Sequence, residues 1–403
     1  MHLLESQSLC CGGATIDKID IYPKYFPIIY PKYITLQTTS KQSKTYDFWQ
    51  EVVDIILPVL DQHNIKIIHF GGKDDVRVNG VIDLCGQTSI NQCAYVISNS
   101  MGHLGVDSFG THLAGSYDKP LVSLYSNNYI DCVKPYFGDK AKQILLEPDR
   151  EGFGKPNFSL EEHPKTINTI KPETIASSIL SVLGLEYKHP YQSVFIGDHY
   201  NKRCIENVPN QVIDPRQLSI DHVIERMDLF FHEEILVRQL SMSKCAIVTD
   251  KLINLNIIKQ FRNNIQNITF FVNSETDPKI LQEYQYQGVE VILISKDTEE
   301  NINKLRLKFA DVGVINKQHS INFLEIPSFK NIDKSKLYYK SNKFVLSSGK
   351  IYQSDAAYKN DLPIGSFENN FQKLTDNLYP EIFYDSLFFY ILTDKDLAAK
   401  SAI

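Results

Sequence analysis

The 403-residue sequence predicts an α/β protein with two Rossmann-like, doubly wound domains and a small C-terminal β-hairpin and helical appendage. Three observations predict it. Short β-branched runs alternate with stretches of helical period, the pattern of a parallel sheet with helical crossovers. The length exceeds what one hydrophobic core usually supports. The pattern is interrupted around residues 187–190 and changes character after residue 320, which sets domains at 1–188, 189–320 and 321–403.

Taken in order, residues 33–37 read as a strand, followed by a polar loop over 38–44. A helical pattern then runs through Phe48, Val52, Val53, Ile56, Leu57 and Leu60. Residues 65–70 read as the next strand, and Gly71 and Gly72 let the chain turn sharply at its carboxyl end. A helix start over 89–93, a short strand over 94–98, a helix over 111–117 and a buried strand over 120–125 follow. Pro172 suits the first position of a closing helix over 172–183.

In the second domain, residues 193–197, 245–249, 268–272 and 289–294 read as strands, with helical patterns over 252–261 and 278–287. His222, Glu225, Asp228, His232, Glu233 and Glu234 read as a polar, acidic helical face, without the spacing of a metal motif. Arg306 and Lys308 read as a solvated face. Residues 337–352 suggest a hairpin turning at Ser347-Ser348-Gly349. The apolar run over 387–392 is too short to span a bilayer and reads as core.

A net charge of -6 gives no global reason to expect nucleic-acid or anionic-membrane binding. The first residues lack a basic segment leading into an apolar run, so no secretory signal is expected. Seven cysteines, with no C-x-x-C pair and no Cys/His cluster at zinc spacing, point to reduced thiols in a cytoplasmic protein. Adjacent Cys10 and Cys11 are poorly placed to bridge each other.

In open parallel sheets, ligands bind beyond the carboxyl ends of the strands, where helix N-termini offer amides and a positive dipole end. Three loops at such ends are chemically equipped: residues 38–44, 107–114 and 126–128. The first offers hydroxyls and lysines. In the second, Gly110 permits close backbone approach, and Ser108, Thr111 and His112 add donors at a helix start. The third is Ser126-Asn127-Asn128. Together they could hold a diphosphate, although such residues also commonly cap helices.

The run Asp83-Leu84-Cys85-Gly86-Gln87-Thr88-Ser89-Ile90, then Asp107-Ser108 with His112-Leu113-Ala114, then Lys119-Pro120-Leu121-Val122-Ser123-Leu124-Tyr125, carries a family resemblance. Thr38-Thr39, Lys44, Trp49 and Phe70-Gly71-Gly72 extend it. Over about residues 25–185 the sequence resembles the C-terminal lobe of the ADP-heptose:lipopolysaccharide heptosyltransferases, glycosyltransferase family 9. The resemblance implies a GT-B arrangement of two Rossmann-like lobes and an inverting transfer. It also implies a nucleotide-diphosphate sugar as substrate, a glycan or polymer hydroxyl as acceptor, and no cofactor or metal. By the same resemblance, Asp107, Ser108, Gly110, Thr111 and His112 bind the donor diphosphate, with Thr38, Thr39 and Lys44 across it. Gly86, Thr88 and Ser89 lie near the nucleoside.

The sequence departs from the family at two points. Phe109 stands between the Asp-Ser pair and Gly110, and Met1-His2-Leu3-Leu4-Glu5-Ser6 resembles only the segment that connects to the family's preceding lobe, so that lobe's catalytic Asp is not expected here. Asp250 and Asp198, at strand ends of the second domain, are the candidate bases. A partner chain or a homo-oligomer could instead complete the site, or the protein binds a sugar nucleotide without turnover. A basic, aromatic stretch, Lys334, Lys336, Tyr338, Tyr339, Lys340, Lys343, Phe344, Lys350 and Tyr352, reads either as a hairpin with one packed face or as an acceptor surface. Its acceptor candidates are Lys340, Lys343 and Tyr352.

Overall fold

The computed structural model describes residues 1–17, 21–148, 150, 154–295, 297–309, 314–316, 336–367, 371–375 and 385–393. The chain divides into two compact units, Met1–Pro190 and Tyr191–Ile403.

In the first unit, β1 (Tyr33–Gln37), β2 (Lys66–His69), β3 (Ile82–Asp83), β4 (His103–Val106), β5 (Leu121–Leu124) and β6 (Gln143–Leu146) pair in the order β3-β2-β1-β4-β5-β6. All five pairings are parallel. Every residue of β1 is buried, as expected of a central strand covered on both faces. The helices are α1 (Leu3–Cys10), α2 (Trp49–Gln62), α3 (Ile90–Ser98), α4 (Phe109–Ser116), α5 (Ile130–Val133) and α6 (Pro172–Val182). Helical spacing buries Val52, Val53, Ile56, Val59 and Leu60 on α2, and Ile175, Ala176, Ile179 and Leu180 on α6.

The chain winds outward from β1 to β3, then returns to place β4 on the other side of β1, with Gln37 opposite Gly105. The loops leaving β1 and β4 diverge there, and this reversal of strand order creates the crevice that parallel sheets use for ligands.

One expectation in this unit is corrected. Residues 94–98 are not a strand but the second half of α3. Ser89 and Gln92 form a reciprocal capping box, and Cys93, Ala94, Val96 and Ile97 then bury at helical spacing. The strand lies at His103–Val106, where a histidine and a glycine interrupt the apolar run by which strands are recognised.

In the second unit, the strands are β7 (Gln192–Ile196), β8 (Cys204–Asn207), β9 (His222–Arg226), β10 (Cys245–Thr249), β11 (Ile265–Phe271), β12 (Val291–Ser295) and β13 (Val314–Asn316). They continue with β14 (Leu337–Ser341), β15 (Lys343–Ser347), β16 (Lys350–Tyr352), β17 (Pro363–Ile364), β18 (Gln372–Lys373) and β19 (Phe389–Thr393). Helices α7 (Glu233–Met242), α8 (Leu255–Phe261), α9 (Pro278–Tyr286), α10 (Glu299–Lys308) and α11 (Asp355–Lys359) intervene. A nine-stranded sheet runs β13-β12-β11-β10-β9-β8-β15-β16-β17, and a four-stranded antiparallel sheet runs β18-β14-β19-β7. From β13 to β15 the large sheet is parallel, as expected of a Rossmann-like core.

Residues from 337 onward supply strands to both sheets of this unit. The hairpin β15–β16 turns at Ser348 and Gly349 with φ of 49° and 75°, the left-handed pair a two-residue turn requires. Phe389, Ile391, Tyr339, Val345 and Tyr352 pack together, so the late apolar run is core.

The acidic helical face expected around His222 and His232 is also corrected. His222 opens β9, and His232 caps α7 through its ring nitrogen. Glu225, inside β9, is buried, and burial pushes its carboxyl up to about 8 against hydrogen bonding from Asn207.

Candidate functional site

The loops after β1, β4 and β5 meet at the carboxyl edge of the first sheet. Lys44 closes a turn at Gln42–Lys44, and its ammonium lies 3.0 Å from Oδ2 of buried Asp107. Nε2 of His112, one turn into α4, lies 3.7 Å from Oδ1 of the same carboxylate. Burial raises the Asp107 carboxyl, but His112 and Lys44 outweigh it and bring it below its ordinary range. Lys44 and His112 keep part of their side chains in solvent, at 17% and 34% exposure, whereas Asp107 is at 7%. An ammonium and an imidazole thus reach solvent beside a buried carboxylate.

The start of α4 is held from below by Gln37, which the sequence reading did not single out. Its Nε2 donates to Ser108 Oγ at 3.0 Å, and its Oε1 accepts from the Gly110 amide at 3.1 Å. Ser108 occupies the N-cap but gives the helix no side-chain cap bond. Gly110 is required by close packing: a Cβ there would lie 2.5 Å from Gln37 Oε1 and 3.0 Å from the Phe70 ring. The only signal for Gln37 in the sequence is a polar residue ending an otherwise buried strand.

Other expected donors are spent inside the protein. Thr111 is buried, donates to the Val106 carbonyl and pairs with Ser123. Thr38 is buried and donates to the Val76 carbonyl, while Thr39 accepts from the Val76 amide. Ser126 donates to the Ser43 carbonyl and Asn127 to the Ser159 carbonyl, so the third loop fastens the first. Gly86, Thr88 and Ser89 follow β3, three strands from β4. Gly86 takes φ +74° against Lys73, Thr88 contacts the Cys93 thiol, and Ser89 caps α3.

Asp250 follows β10 at a parallel strand end and is exposed. Asp198 is exposed too, but it follows β7 in the antiparallel sheet, so the strand-end argument that selected it does not apply. Burial corrects two acceptor candidates. Lys343 is enclosed, with its ammonium 2.9 Å from Glu206 and 2.6 Å from Asp385, and Tyr352 is buried with its hydroxyl on Asp361. Lys340 is half-buried, with its ammonium 5.9 Å from the Phe371 ring centre. Lys334 lies outside the described residues.

The parallel order, the switch point and the Lys44–Asp107–His112 cluster lie in one segment of sequence. Residues 17–157 match glycosyltransferase family 9 (heptosyltransferase). No curated protein matches the chain. Among solved structures, a glycosyl transferase family 9 protein from Veillonella parvula is 18% identical, with a TM-score of 0.32, over 38% of this chain and 46% of that one. The E. coli ADP-heptose LPS heptosyltransferase II is 17% identical, with a TM-score of 0.30, over 39% and 47%. E. coli heptosyltransferase WaaC with ADP is 14% identical, with a TM-score of 0.27, over 39% and 46%. The chain therefore spans about half the length of these structures. Among the described residues, no helix is long and apolar enough to cross a membrane.

Proposed function

We propose that the first unit binds a nucleoside diphosphate sugar over the N-terminus of α4, and that the protein transfers the sugar, with inversion, to a hydroxyl of a glycan or another polymer. The observation that carries this reading is the convergence of Lys44 and His112 on Asp107 at the switch point between β1 and β4. A diphosphate there meets an ammonium, an imidazole and a helix N-terminus that has no side-chain cap. Asp107 does not touch the anion in this reading, since like charges repel. It holds the two donors at the rim. Charge that develops on the departing diphosphate is stabilised by the same groups, so the transfer step draws on no metal.

Titration calorimetry with ADP, UDP and GDP tests the donor half. One nucleotide should bind, and Lys44→Ala and His112→Ala should each weaken it about tenfold, or about 1.4 kcal/mol. Unchanged affinity in both variants defeats the reading. The family match covers residues 17–157 alone, which favours, as a second reading, a donor-binding module without turnover. Binding of a nucleotide sugar with neither hydrolysis nor transfer across an acceptor panel supports that second reading.

A further inference from the structure

On the other side of β1 from β4, the carboxyl ends of β2 and β3 bring together His69, Asp83 and Cys85. One ligand atom from each lies within 4.8 Å of the other two. Thr38 Oγ1 lies 3.0 Å from the Val76 carbonyl and 3.0 Å from His69 Nε2, and Cys85 Sγ lies 3.5 Å from the same ring nitrogen. When Thr38 donates to the carbonyl, the ring donates to Thr38, which puts the proton of a neutral imidazole on Nε2 and leaves Nδ1 with a bare lone pair.

His69 is fully buried, and among the described residues Nδ1 has no hydrogen-bond partner. It faces Asp83 Oδ1 at 3.9 Å. In that tautomer two acceptors face each other with no proton between them. A buried lone pair without a partner is costly and calls for an explanation. Arg77, 2.9 Å from Asp83 Oδ2, and the Cys85 amide, 3.0 Å from Oδ1, hold the carboxylate in place.

We infer that His69, Asp83 and Cys85 bind a divalent transition-metal cation of the zinc class, with His69 Nδ1 as the nitrogen ligand. Ligand atoms on a tetrahedral zinc stand about 3.3–3.8 Å apart, so closure from the observed separations needs small side-chain movements. A nitrogen, a thiolate and a carboxylate together suit zinc or cobalt and not magnesium or calcium, which prefer oxygen alone. Thr38 is the outer partner such a histidine uses, accepting from the ring nitrogen that does not bind metal. Binding releases the Cys85 thiol proton to solvent. Three protein ligands leave the fourth position to water or to an anionic oxygen, on the side where Asp83 is 41% exposed. The site is separate from the Lys44–Asp107–His112 cluster, and neither proposal depends on the other.

The test uses the full chain, stripped with a chelator and titrated with Co²⁺. About one equivalent should bind, with an intense near-ultraviolet band from thiolate-to-cobalt charge transfer. Cys85→Ser should abolish that band, and Cys93→Ser, at another buried thiol, should keep it. Asp83→Asn, at a half-exposed side chain, and Thr38→Val should each weaken binding at least about tenfold. Circular dichroism checks that each variant remains folded. Absence of the band in the unsubstituted protein, its persistence in Cys85→Ser, or unchanged affinity in folded Asp83→Asn overturns the inference.

Discussion

His103 ends inside the first unit with no solvent contact, stacked on Phe70 and with its Nδ1 3.0 Å from Thr35 Oγ1. Burial pushes its pKa from 6.5 down to about 3. Between those values the unfolded chain takes up a proton that the folded chain refuses, so stability falls as pH drops through this window. The slope reaches up to about 1.4 kcal/mol per pH unit for such a group. Burial lowers His69 as well and adds to the slope in the same direction. The urea midpoint of Trp49 fluorescence measures it, because Trp49 is the single tryptophan and is buried in this unit. His103→Asn should flatten the pH dependence; an unchanged slope would contradict this account.

Helix α4 illustrates how an element is placed by contacts that its own sequence does not announce. Its propensity is poor, with Gly110 in its first turn and Gly115 near its end. What holds it is packing on β4 and the Gln37 clamp at its start. Gly110→Ala gains about 1 kcal/mol of helix propensity. It also drives a methyl into Gln37, Phe70 and His103, overpacking that costs about 1–3 kcal/mol. A net loss on the order of 1 kcal/mol is expected in the Trp49 midpoint. Nucleotide affinity should fall as well, because the amides at the start of α4 shift with the clamp. Wild-type stability and affinity together would show that the clamp has slack.

Across the whole molecule, the two units are held by different means. Apolar packing of helices against a parallel sheet holds the first. The second buries an ionic network on its nine-stranded sheet. Arg226 lies 2.7 Å from Glu206, 2.8 Å from Asp228 and 3.0 Å from Asp355, while Lys343 joins Glu206 to Asp385. Removing one partner leaves buried charge without compensation, which costs about 3–5 kcal/mol. Lys343→Met should therefore lower the calorimetric transition of the second unit while the Trp49 transition of the first stays in place. A shift in both, or in neither, would refute this division of labour.

The sequence by itself determined the alternation of strands and helices in the first unit, the loops that carry polar chemistry and the late hairpin turn. These follow from periodicity and turn residues, which act over a few positions. It misassigned residues 94–98, because an apolar run of that length fits either element and only the capping box and burial of α3 distinguish them. Tertiary structure alone decided which groups meet. Lys44 and Asp107 are 63 positions apart and touch because β1 and β4 pair at the switch point. His69 and Cys85 meet because β2 and β3 do. Lys343, an acceptor candidate by sequence, is buried by the pairing of β15 with β8. Strand order is a long-range property set by how hydrophobic faces are covered, and no local pattern encodes it.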